Sequence, residues 1–94
     1  MMNDQEKIDE IDRKIGFSAM KKTIMEDGAI DSRTKKLLLI ASAVAVGCDA
    51  CFSANKKRAM DAGISDEEIN EAILVASLIR MSSGLNYMWK AIDE

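Results

Sequence analysis

Cys48 and Cys51 are the two cysteines of the chain, and they stand three residues apart in VGCDACFSAN, residues 46–55. On a helix that spacing puts both on one face with Cα atoms about 5 to 6 Å apart, a separation at which two sulfurs can bond. Gly47 interrupts the apolar run before them, so the pair falls at a helix N-terminus. There the unpaired N–H groups and the positive end of the helix dipole favour a thiolate over a thiol. This is a setting for reversible dithiol–disulfide chemistry. Two other fates use the same residues. The chain has no histidine and no third cysteine, so a four-ligand metal or iron–sulfur site would need two subunits to pool thiolates from Cys48 and Cys51. Alternatively, the pair could be small buried hydrophobes, as free cysteines often are.

The rest of the composition limits what can hold the pair. A chain of 94 residues has room for one domain, residues 1–94, and a domain of that size buries only roughly two-thirds of the surface its unfolded chain exposes. With 48% hydrophobic residues, no proline, five glycines and only Phe17, Phe52, Tyr87 and Trp89 as aromatics, it lacks the β-branched and aromatic runs of strands. The expected class is all-α. The net charge of −3 carries neither a nucleic-acid footprint nor a basic membrane patch, and Lys56-Lys57-Arg58 reads as a solvated helix face. The apolar run at residues 37–46 is about half of the ~20 needed to span a bilayer. The opening MMNDQEKIDE is acidic and polar, unlike a secretory signal. A cytoplasmic protein without membrane or nucleic-acid partners is expected, and in a reducing compartment a C-x-x-C is more often catalytic or metal-binding than structural.

Five or six helices are expected. Asn3 or Asp4 caps a first one carrying Ile8, Ile11 and Ile15, which Gly16 ends. A second runs over residues 17–26 with Phe17, Met20 and Ile24 inward, stopped at Asp27-Gly28. Asp31 or Ser32 caps a third whose residues 37–46 are apolar nearly all round and so must be covered on every side. Cys48-Asp49 opens a fourth that stops at Ala62-Gly63-Ile64. Ser65-Asp66-Glu67-Glu68 is a capping box opening a fifth. Met81-Ser82-Ser83-Gly84 is expected to break that helix, leaving a short sixth over residues 85–92. A domain too small to surround its third helix points to a homo-oligomer, with Met60, Met81 and Met88 filling gaps in core and interface.

Residues 31–77 resemble the alkylhydroperoxidase D and carboxymuconolactone decarboxylase-like proteins. They share Asp-x-x-Thr-Lys, an alanine-rich apolar helix, C-x-x-C, Ala-x-x-x-Gly and an acidic capping box; the broader resemblance covers residues 17–91. It implies an all-helical, alkylhydroperoxidase D-like fold assembled into trimers or hexamers. It also implies a peroxidase-like antioxidant or thiol–disulfide oxidoreductase in which Cys48 and Cys51 cycle without a further cofactor. A peroxide or disulfide would be the substrate and an external dithiol the reductant. The decarboxylase branch lacks the cysteine pair and fits less well. Peroxidase-type members look like Glu-(eleven residues)-Cys-x-x-Cys-x-x-x-His, with the glutamate and histidine relaying protons. In this chain those two positions are Lys36 and Asn55, so a structural family member with lapsed catalysis stands beside the redox and metal readings.

Overall fold

The computed structural model describes residues 1–93, which form five α-helices with no strand among them. The chain divides into two compact units, the first over Met1–Ser32 and the second from Arg33 onward.

In the first unit, α1 (Asp4–Ile15) starts where the Asn3 side chain accepts the Glu6 N–H at 2.8 Å. It ends at Gly16, whose φ of 67° is the left-handed conformation that glycine adopts without a Cβ penalty; there the Gly16 N–H reaches the Asp12 carbonyl at 2.7 Å. The next helix, α2 (Phe17–Met25), has glycine as its N-cap residue and so no cap side chain of its own. Asp12 supplies the missing acceptor, its Oδ1 taking the Ser18 N–H at 2.7 Å. The Ser18 hydroxyl and then the Ser18 N–H hold the Asp12 carboxyl below its ordinary 3.8. A carboxylate depressed in the folded state stabilises fully above its unfolded pKa and loses that contribution as pH falls through the folded value. Asp12→Asn should therefore lower the thermal midpoint at pH 6, and the gap to the parent should close as both are acidified below pH 3. A gap independent of pH in circular-dichroism melts would contradict this.

The second unit holds α3 (Ser32–Val46) from its second residue on, α4 (Asp49–Asp61) and α5 (Asp66–Asp93). Its core joins all three: Ile40 from α3, Ala59 from α4, Ile64 from the turn and Ile69 from α5, with Leu37, Phe52 and Ile73 packed against them. Burying a side chain such as Ile40 or Ile69 contributes about 1.5–3 kcal/mol. The turn after α4 is a Schellman motif, with Ile64 N–H on the Ala59 carbonyl and Gly63 N–H on that of Met60, both at 3.0 Å. The same Ile64–Ala59 pair belongs to the core, so the turn and the packing specify one geometry. Of the expected capping box, the N-cap half is present, with the Glu68 N–H donating to Ser65 Oγ at 3.2 Å, while the Glu68 carboxylate pairs with Arg33 on α3.

Two expectations are corrected. Among the described residues there is no break at 81–84 and no sixth helix, because α5 continues to Asp93 as 28 residues. A lone glycine inside a helix costs only about 1 kcal/mol relative to alanine, and without proline or a cap nothing at Gly84 stops propagation. The apolar faces are also less covered than their pattern suggests. Only Ile40 and Ala43 of α3 are buried, whereas Val46 is 78% exposed and Trp89 68%. Ile8, Ile11, Ile15, Phe17, Met20, Ile24, Met60, Met81 and Met88 are exposed as well. Despite the length of α5, no helix among the described residues is long and apolar enough to cross a membrane.

Candidate functional site

The cysteine pair is positioned by a turn that ends one helix and begins the next. The Cys48 N–H bonds the Ala43 carbonyl at 2.9 Å and the Gly47 N–H bonds that of Val44 at 3.2 Å, a second Schellman motif built on Gly47 at φ 75°. Cys48 thus closes α3 with its backbone and caps α4 with its side chain, its Sγ accepting the Cys51 N–H at 3.2 Å. A sulfur in an N-cap position takes the place usually held by a serine or aspartate oxygen, where negative charge is favoured. Cys48 and Cys51 are joined as a disulfide with Cα atoms 5.3 Å apart. Cys51 is exposed and Cys48 half-buried.

Beside Cys48 lies a cleft of about 430 Å³, with Val44 and Phe52 among its apolar walls and Asp49 and Arg80 as its charged groups. Arg80 comes from α5, 36 residues beyond Val44, and its Nη1 donates to the Val44 carbonyl at 2.8 Å. Sequence reasoning missed it, although a signal existed: Arg80 is the one charged residue between Glu71 and Lys90 of an otherwise apolar and polar run.

Asn55 is half-buried one turn after Cys51. Its amide donates to the Cys51 carbonyl at 2.8 Å and its Oδ1 accepts from Arg58 at 3.4 Å, so the amide is engaged with backbone. Lys36 is half-buried on α3. Lys36 lies one turn before Ile40 and Asn55 one turn before Ala59, and Ile40 and Ala59 share the core. Helix periodicity therefore carries both positions on the adjoining sides of α3 and α4. No group of three or more His, Cys, Asp or Glu residues converges as a metal site among the described residues.

An all-helical chain that presents a C-x-x-C from the N-terminus of a helix defines a class of small helical proteins. The chain belongs to the carboxymuconolactone decarboxylase family, whose profile matches residues 15–94. It is similar to the crystal structure of a protein from Methanobacterium thermoautotrophicum, a structural-genomics target, at 36% identity with a TM-score of 0.75 over 86% of this chain and 92% of that one. No curated protein matches the chain.

Proposed function

We propose that the protein is a thiol–disulfide oxidoreductase whose working pair is Cys48 and Cys51. The observation that carries this reading is the N-cap position of Cys48 with Cys51 on the same first turn, 5.3 Å away by Cα. With a disulfide substrate, one thiolate attacks a substrate sulfur and expels the first thiolate product, leaving a mixed disulfide. The second cysteine then attacks its partner's sulfur, releasing the second product and closing the Cys48–Cys51 bond. With a hydroperoxide, the attacking sulfur takes one oxygen as a sulfenic acid and releases an alcohol, and the second thiol condenses with loss of water. Either way two electrons leave the pair, and an external dithiol returns them. Mixing the dithiol-reduced chain with an aromatic disulfide should release two aromatic thiols per chain. Release of none would reject the reading.

The same reading includes a cytoplasmic homo-oligomer, a trimer or hexamer. It is supported by the exposed apolar residues of α3 and α5, such as Val46, Leu78 and Trp89, since large exposed apolar side chains gathered on a surface mark protein–protein contact. Sedimentation at micromolar concentration is expected to give three or six times 10.3 kDa. A 10.3 kDa species at that concentration would refute it.

A further inference from the structure

We infer that Arg80 is the positioning residue of the cysteine pair: latched onto the turn between α3 and α4, its guanidinium favours the Cys48 thiolate, so that ionisation of the reduced pair needs no neighbouring base. The inference rests on the redox reading above. Three observations place the charge. Arg80 Nη1 bonds the Val44 carbonyl at 2.8 Å, the same oxygen that accepts the Gly47 N–H. A Cβ built on Gly47 would lie 3.4 Å from that nitrogen, so the guanidinium rests against the residue preceding Cys48. Arg80 and Cys48 also line one cleft.

The latch uses one of the guanidinium's five N–H donors, so the cation is held at the turn with four donors left over. Among the described residues no carboxylate forms an ion pair with it. The charged groups facing the cleft are Arg80 from α5 and Asp49 from α4; α3 and the turn contribute Ala43, Val44 and Gly47, which carry none. Asp49 opposes ionisation of Cys48 and Arg80 favours it, so the two substitutions should move the thiol in opposite directions. The step itself is a proton loss to water, with no oxidant or reductant consumed.

The test is the rate of alkylation by neutral iodoacetamide against pH in the full-length Cys51→Ser chain, which leaves Cys48 as the sole thiol. Its midpoint should lie below the ordinary ~8.5 of a free cysteine. Arg80→Gln should raise it by about one unit or more, slowing alkylation at pH 7 by about tenfold. Arg80→Lys, which keeps the charge, should hold most of the parent's value, and Asp49→Asn should lower the midpoint. A folded Arg80→Gln with an unmoved midpoint overturns the inference, as does an Arg80→Lys shift equal to that of Arg80→Gln. Salt gives a measurement that needs no substitution at Arg80: screening should raise the midpoint between 10 mM and 1 M, and a midpoint that stays constant or falls overturns the inference. Wild-type turnover is read separately. Turnover with an unmoved Arg80→Gln midpoint removes this inference and leaves the redox reading, whereas a moved midpoint without turnover removes the redox reading.

Discussion

Cys51→Ser is expected to stop disulfide reduction after its first half. Cys48 can still attack an aromatic disulfide, but nothing then resolves the mixed disulfide from within the chain. One aromatic thiol should appear per chain where the parent releases two, and the adduct should persist. Well-oriented intramolecular reactions reach effective molarities of about 10⁵ M or more, so millimolar external thiol is a poor substitute for the sulfur that the first turn of α4 holds beside Cys48. Steady-state turnover should fall on the order of 10³-fold. Cys48→Ser should fail as completely, since the same bond is lost. Retention of parental turnover by either variant would mean that the pair does not act as a unit.

The second large effect is a gain. Lys36 and Asn55 each stand one turn from a residue of the core shared by α3 and α4, and they occupy the positions where peroxidase-type relatives are expected to carry a glutamate and a histidine. The double variant Lys36→Glu with Asn55→His should raise peroxide turnover on the order of 10²- to 10⁴-fold, the usual contribution of positioned acid–base groups. Thiol acidity should move the other way at one position, because an anion in place of a cation near a thiolate raises its pKa. Alkylation at neutral pH would then slow while turnover climbs, separating proton transfer from ionisation of the nucleophile. In the parent the Asn55 amide holds the Cys51 carbonyl, so the histidine must give up that bond to reach sulfur. A folded double variant with neither change would show that these positions do not face the pair.

The features readable from sequence are those whose causes are local. Gly16, Gly47 and Gly63 all adopt positive φ where the expected helix ends fall, and the Ser65 cap forms because its donor is three residues from its acceptor. The cysteine pair is legible for the same reason: a C-x-x-C after a helix-stopping glycine has one sensible place to go. Gly84 misled because a glycine stops a helix only when a turn follows it, and α5 has no turn there. The side-chain caps at longer range were also hidden. Asp12 reaches Ser18 and Asp27 reaches the Ser32 N–H at 2.6 Å, spacings of six and five that no capping pattern contains. Arg80 lay furthest from view, since its partner Val44 is 36 residues away and only folding brings α5 onto the turn.

The most direct test of the central claim is a count of thiols and hydrogens through one cycle. Fully reduced protein carries two thiols, Cys48 and Cys51. After one equivalent of a disulfide or hydroperoxide, intact-mass measurement with thiol titration should find no free thiol and a chain lighter by two hydrogens, free of added oxygen or substrate. An external dithiol should then restore both thiols. Two thiols surviving the oxidant, or chains accumulating as oxygen adducts or unresolved mixed disulfides, would contradict a cycling Cys48–Cys51 pair.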